Sequence, residues 1–145
     1  MKQVDPDARK ADALLRHQRR DYATANVAFR DAMAGYFATG RLGDACTLAD
    51  DMITIYERQL DYRAAYEQER RAWKLRDGVD ALEDAAQADA VGDSELVIVE
   101  LQRAHAFFLE SGYADAWAIT EAALTELGAP LINLTVVEDT EAATA

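Results

Sequence analysis

Apolar and polar residues follow one another along most of the chain with the spacing of amphipathic helices. Apolar residues recur three and four positions apart, and charged residues fill the positions between them. This period of about 3.6 residues is typical of α-helices with one buried face. The clearest apolar stripes are Tyr22, Ala25, Phe29, Ala32 and Tyr36; Leu42, Ala45, Ala49, Met52 and Tyr56; and Tyr113, Ala116, Trp117, Thr120, Leu124 and Leu127. Residues 96–109 are the most apolar segment and predict a further, largely buried helix.

Capping and turn residues divide this pattern into separate helices. Asp5 followed by Pro6 is typical of a helix start. Five sites have the residues of turns or helix ends: Gly40 with Gly43, Asp77-Gly78, Gly92-Asp93, Gly112 and Gly128 with Pro130. Between the second and third of these, residues 79–91 predict only a short, weak helix. We therefore predict an all-α fold of about six or seven helices, joined as antiparallel hairpins.

Composition supports this fold class. The chain of 145 residues contains 30 alanines but only 7 glycines and 2 prolines, a balance that favours helices. We predict one helical domain over residues 1–129. Residues 131–137 are rich in β-branched side chains, so 130–145 predict an extended segment and an acidic, disordered tail. The sequence contains no apolar run of membrane-spanning length and no apolar signal segment, which predicts a cytoplasmic protein without a membrane partner.

One local motif recurs at intervals of 20 residues. Asp21-Tyr22-x-x-Ala25, Arg41-Leu42-x-x-Ala45 and Asp61-Tyr62-x-x-Ala65 each combine a turn residue, a large apolar residue and a small one, and Gly112-Tyr113-x-x-Ala116 follows later. The best-matching stretch has Tyr36 in a first helix, Gly40 at the turn, and Leu42 and Ala45 in a second helix. Residues 20–127 thus resemble tetratricopeptide repeats, although the 34-residue period is not kept. The resemblance implies stacked helical hairpins whose first helices line a concave surface for a peptide or helix of another protein.

A helical bundle is the alternative layout. No glycine or proline falls between Asp44 and Asp77, so residues 44–76 could form one long helix. In the repeat layout Asp21 and Asp61 cap helices, whereas in the bundle they lie inside them. Aspartate favours caps, which favours a break near residue 61.

Charge is distributed unevenly along the chain. Residues 1–76 contain 14 basic and 12 acidic residues, whereas residues 77–145 contain 15 acidic residues and a single basic one, Arg103. The acidic half predicts a partner with a basic surface. The basic side chains around Trp73 have carboxylates between them, which indicates a salt-bridged exposed face, and the net charge of −12 argues against direct binding of nucleic acid.

Motifs for catalysis are missing from the sequence. Glycine-rich phosphate loops, nucleophile elbows and Glu-x-x-His metal motifs are all absent. Asp80, Glu83 and Asp84 share a helix face that could hold a cation through oxygen ligands, but we interpret it as a solvated acidic face. His17 is expected at the surface and His105 half-buried and hydrogen-bonded. We expect no cofactor and no metal.

Three functions remain to be compared. The first is a non-enzymatic protein–protein interaction module, an adaptor or regulator, with partner-binding residues Asp80, Glu83, Asp84, Glu100 and Arg103. The second is an acidic inhibitor that mimics nucleic acid and blocks a nucleic-acid-binding protein. The third is a helical enzyme or carrier with a polar pocket near His105, which we rank last because Arg103 is more readily explained as a structural counter-ion. The sequence leaves homo-oligomerisation open.

Overall fold

The computed structural model describes residues 5–129. Within these residues the chain forms six α-helices and no β-strand, which confirms the all-α fold and the predicted number of helices. The helices are α1 (Pro6–Gln18), α2 (Tyr22–Ala38), α3 (Leu42–Arg58), α4 (Tyr62–Ala90), α5 (Ser94–Ser111) and α6 (Ala114–Glu126). The segment 130–145, for which we predict an extended stretch and a tail, lies outside the described residues.

The chain divides into two compact units at a boundary inside α4, between Glu69 and Arg70. Unit 1 contains α1, α2, α3 and the start of α4, and unit 2 contains the rest of α4 with α5 and α6. A single domain over residues 1–129 stays a prediction.

The three connections in unit 1 share one backbone geometry at intervals of 20 residues. Each contains one residue in the left-handed conformation: Arg20 at φ 62°, Gly40 at φ 71° and Leu60 at φ 61°. The next helix begins two residues later in each case. The predicted helix starts at residues 21–22, 41–42 and 61–62 are therefore confirmed. The alternative of one long helix over 44–76 is wrong, because α3 ends at Arg58 and the chain turns at Leu60.

Consecutive helices of unit 1 run antiparallel. Tyr36, near the end of α2, donates a hydrogen bond from its hydroxyl to Asp7 Oδ1 at the start of α1, at 2.8 Å. Asn26, near the start of α2, exchanges two amide hydrogen bonds of 2.9 and 3.3 Å with Gln59, which follows α3. Within unit 1 the predicted antiparallel hairpins are confirmed.

The predicted turn at Asp77-Gly78 is wrong, because α4 continues through both residues to Ala90. The predicted short helix over 79–91 is instead the C-terminal part of α4. Gly78 is buried, and a Cβ atom placed on it would lie 2.3 Å from Cε1 of Phe108 in α5. Glycine is present here because it lets an aromatic ring pack directly against the helix backbone, and not because the chain turns.

Each unit has its own apolar core. In unit 1 the fully buried Phe29 and Leu48 lie among the alanines of the predicted stripes. In unit 2 the fully buried large apolar side chains are Leu75 of α4, Phe108 of α5 and Leu124 of α6. The alanines bury little area each but allow helix axes to approach closely, so the larger residues supply most of the hydrophobic stabilisation.

Candidate functional site

The five predicted partner-binding residues all lie in unit 2, on α4 and α5. Arg103 of α5 donates a hydrogen bond to Glu100 of the same helix, with Nη1 2.6 Å from Oε2. The same nitrogen lies 4.0 Å from Oδ2 of Asp84 on α4. Asp80 and Glu83 are exposed and have no ion pair among the described residues. The fold therefore brings together three of the five residues and leaves the other two facing solvent.

Arg103 acts as an internal counter-ion. The carboxylate that it neutralises, Glu100, is only 9% exposed, whereas the Arg103 side chain is about half exposed. A nearly buried carboxylate without a cation would be strongly destabilising, because its charge would lose hydration without compensation. This pair stabilises the helix, and Glu100 has little surface left to offer to a partner.

Lys74 also joins α4 to α5, along the contact between these two helices that we call the α4–α5 seam. Its Nζ lies 2.7 Å from Oε2 of Glu110 and 5.6 Å from the centre of the Phe107 ring. The guanidinium of Arg103 lies 5.8 Å from the same ring. Phe107 therefore has a cation near it from each helix, in the range in which a ring quadrupole attracts positive charge.

Arg71 of α4 contacts the C-terminal end of α5 and the residues that follow it. Its Nε donates to the carbonyl of Ser111 at 3.0 Å, and its guanidinium lies 4.1 Å from the centre of the Tyr113 ring. An arginine on the last carbonyls of a helix satisfies acceptors that have no partner inside α5 and complements the helix dipole. Arg71, Lys74 and Arg103 are thus all engaged within unit 2.

Most of the other described carboxylates of unit 2 face water. Eight of them are exposed and have neither an ion pair nor a side-chain hydrogen bond within residues 5–129: Asp77, Asp80, Glu83, Asp89, Glu95, Asp115, Glu121 and Glu126. We call this set the acidic surface. It includes two of the predicted partner-binding residues and carries negative charge that the basic residues of the seam do not offset.

Trp73 is an exposed aromatic residue for which the sequence predicted no role beyond a position in the salt-bridged face. It is 66% exposed, although its flanking residues Ala72 and Lys74 are buried and half-buried. Part of the predicted salt-bridged face exists, since Arg63 lies 3.4 Å from Glu67. The missed signal was periodic: the positions four, seven and eleven residues after Trp73 are all aspartates on the same helix face.

Unit 1 contains a groove between α1 and α2. A larger cavity of about 590 Å³ and a smaller one of about 340 Å³ both have Arg9 in their walls. Arg9 donates from Nη2 to Asp31 at 2.6 Å. Along α2 the groove is formed mainly by small side chains, such as Ala34 and Ala38. The alanine spacing predicted close approach of a helix to α2, but not that the described part of the chain would leave cavities along this face.

A polar network lies at one end of this groove. Burial, followed by the hydrogen bond to Asp7, raises the pKa of Tyr36 to about 12. The hydrogen bonds from Tyr36 and from Arg41 lower the pKa of Asp7. The hydrogen bond to Asp44, followed by that to Asp7, raises the pKa of Arg41. The network connects the starts of α1 and α3 to the end of α2 and favours the charged form of Asp7.

The two histidines are held by packing. His105 is 4% exposed and so lies deeper than the half-buried position expected, and its Nδ1 lies 2.8 Å from the hydroxyl of Thr120, which supplies the expected hydrogen bond. His17 is half-buried and not at the surface as expected, because its ring packs 5.1 Å from that of Tyr22 across the first turn. Among residues 5–129 no three histidine, cysteine or acidic side chains are placed to bind one metal ion. No helix in this part of the chain has the length and apolar character needed to cross a membrane.

Comparisons of the chain with protein-family models, with curated proteins and with solved structures each found no match.

Proposed function

We propose that the protein is a non-enzymatic interaction module that binds a basic peptide or helix of a partner protein through the acidic surface of unit 2. One observation carries this proposal. Three of the five arginine and lysine residues of unit 2, Arg71, Lys74 and Arg103, are engaged within the unit, while eight exposed carboxylates have neither an ion pair nor a side-chain hydrogen bond among the described residues.

Mutual repulsion between its carboxylates makes the acidic surface suited to a cationic ligand. Exposed charges interact over a Debye length of about 8 Å at physiological salt, so neighbouring carboxylates on one helix repel each other. A basic partner relieves this repulsion on binding. The field of the surface also attracts the partner before contact, which raises the association rate more than it lowers the dissociation rate.

The test uses as the probe a helical peptide of alanine and lysine in which the lysines recur at steps of three and four residues. Its association with the full chain is followed by stopped-flow fluorescence of an end label while salt is raised. We expect the association rate to fall steeply over the range from about 50 to about 200 mM, as screening shortens the Debye length. An association rate independent of salt, or no binding at low salt, refutes the proposal.

Matched variants locate the binding surface. Asp80→Asn with Glu83→Gln removes two charges from the acidic surface and should weaken binding and reduce the dependence on salt. Asp21→Asn with Glu57→Gln removes two exposed charges from unit 1 and should have a smaller effect, although the change in net charge is the same. Equal effects of the two pairs would show that only net charge matters and would contradict a site on unit 2.

An inhibitor that mimics nucleic acid is the second candidate. Asp77, Asp80 and Asp84 form a row of carboxylates on one face of α4, one helical turn apart. Such a row could occupy the phosphate-binding groove of a nucleic-acid-binding protein. In a competition assay an inhibitor displaces DNA or RNA from the bound partner, whereas an adaptor binds the partner without displacing it.

A further inference from the structure

The part of α4 that belongs to unit 2 has a large exposed aromatic side chain and three aspartates on one face. Trp73 is followed by Asp77, Asp80 and Asp84 at steps of four, three and four residues. At 3.6 residues per turn, these steps place all four side chains on one face of the helix. The face extends for about 16 Å along the axis, since each residue adds about 1.5 Å.

The exposure of Trp73 is not explained by folding. The side chain is 66% exposed, whereas Leu75 two positions later is fully buried in the core. Tryptophan is among the residues most enriched at the energetic centres of protein interfaces, because it buries a large area when it binds. Within residues 5–129, the face of α4 that contains Trp73 is therefore an unpartnered helix face with an apolar anchor at one end.

The charge of this face remains available to a ligand. Asp77 and Asp80 have no ion pair among the described residues. Asp84 is about half exposed and lies 4.0 Å from Arg103, whose closer partner is Glu100 at 2.6 Å. An anionic ligand would be repelled here, and a cationic one attracted.

We infer that this face of α4 is the docking site for an amphipathic basic helix of a partner protein, with one Lys or Arg of that helix over the Trp73 ring and others paired with Asp77, Asp80 and Asp84. Charge complementarity selects a basic occupant. Helical spacing of the carboxylates selects a helix, because Lys or Arg residues at the same three- and four-residue steps meet them in register. Tryptophan presents the aromatic face that attracts cations most strongly. This inference rests on the proposed function and names the site within unit 2.

Fluorescence of Trp73 tests the contact directly. The only other tryptophan, Trp117, is half-buried on α6, and Trp117→Phe leaves Trp73 as the sole tryptophan. The probe is the alanine–lysine helical peptide, which contains no aromatic residue. We expect bound peptide to shield Trp73 from quenching by acrylamide. Unchanged quenching at a peptide concentration that saturates the chain refutes the contact.

Affinity measurements supply the second test, with anisotropy of the end-labelled peptide as the signal. Trp73→Ala should weaken binding about fivefold, the loss expected for one exposed cation–π contact, and Trp73→Phe should weaken it less. The control Tyr62→Ala removes an aromatic side chain of the same exposed fraction, 66%, and should leave affinity unchanged. Circular dichroism checks that each variant keeps its helix content.

The possible results separate this inference from the proposed function. If Asp80→Asn weakens binding and Trp73→Ala does not, the site inferred here is wrong and the proposed function stands. If the peptide fails to bind the unaltered chain at low salt, both are wrong. If the chain dimerises in sedimentation experiments and Trp73→Ala abolishes the dimer, the occupant is a second copy of the chain, and the assignment to a basic partner is overturned.

Discussion

Adding one methyl group to the backbone at Gly78 should destabilise unit 2. The Cβ of Gly78→Ala would lie 2.3 Å from Cε1 and 2.4 Å from Cδ1 of Phe108, whereas carbon atoms in good contact lie about 3.5 Å apart. Phe108 is fully buried, so its ring has no free space into which to move. Overpacking of this kind costs about 1–3 kcal/mol, and a shortfall of more than 1 Å indicates the upper end. Alanine recovers about 1 kcal/mol through its better helix propensity, which leaves a net loss of about 2 kcal/mol.

Two other helical glycines provide matched controls for this change. At Gly43 in α3 an added Cβ meets nothing within 4 Å, so Gly43→Ala should stabilise the chain by up to about 1 kcal/mol. At Gly35 in α2 it would lie 2.9 Å from Cβ of Pro6, so the propensity gain and the packing cost should nearly cancel. The three changes are chemically the same, and only the space around each glycine differs.

Urea denaturation followed by circular dichroism measures all three variants. The transition midpoint should rise for Gly43→Ala, change little for Gly35→Ala and fall clearly for Gly78→Ala. Phe108→Leu removes Cε1 and Cζ, two of the three ring atoms that clash, so Gly78→Ala should cost less in that background than in the natural one. If Gly78→Ala is as stable as the natural chain, the close packing of α4 on α5 is refuted.

Three further changes test other parts of the structure. Leu60→Gly should stabilise the chain by about 1 kcal/mol, because Leu60 has a left-handed φ of 61° and is 73% exposed; a fall in the urea midpoint would contradict this. The pKa of Tyr36 is about 12 in the folded chain and about 10 in the unfolded chain, so the unfolded chain loses the tyrosine proton at lower pH. The free energy of unfolding of the natural chain should therefore decrease between pH 10 and 12 more steeply than that of Tyr36→Phe. Parallel curves for the two chains would show that folding does not raise the pKa of Tyr36. Arg103→Gln should lower the free energy of unfolding by about 1–2 kcal/mol, because it leaves the nearly buried Glu100 unpaired. The control Arg63→Gln should lower it by less than about 0.5 kcal/mol, because the Arg63 side chain is 91% exposed. Equal losses in thermal denaturation would argue against the counter-ion role of Arg103.

Local signals predicted most of the helix boundaries. The Asp5-Pro6 cap, the apolar spacing and the motif at intervals of 20 residues were sufficient for the starts of α1, α2, α3 and α4, because capping and helical periodicity depend on residues close in sequence. The φ angles of Arg20 and Leu60 show that the turns at these positions do not need glycine. These two turns were therefore recognisable only from the aspartate, the large apolar residue and the alanine at the start of the next helix.

Contacts between residues distant in sequence explain the features of the structure that the sequence did not predict. Asp77-Gly78 has the composition of a turn, and only the position of Phe108, thirty residues later, shows that Gly78 serves close packing. Likewise, nothing local distinguishes the exposed Trp73 from the half-buried Trp117. The role of Arg103 as a counter-ion was predictable because it is the single base among many acids, but its closest partner, Glu100, became evident only from the structure.

The course of α4 limits how this protein can be cut or recombined. The boundary between the compact units falls between Glu69 and Arg70, inside a helix of 29 residues and not in a loop. A cut there would strip hydrogen-bond partners from up to four amide groups on one side and four carbonyl groups on the other. Proteases act mainly on extended, exposed segments, so the boundary should resist digestion better than the connection at 91–93. Transplanting either unit into another protein would therefore require carrying the whole of α4 with it.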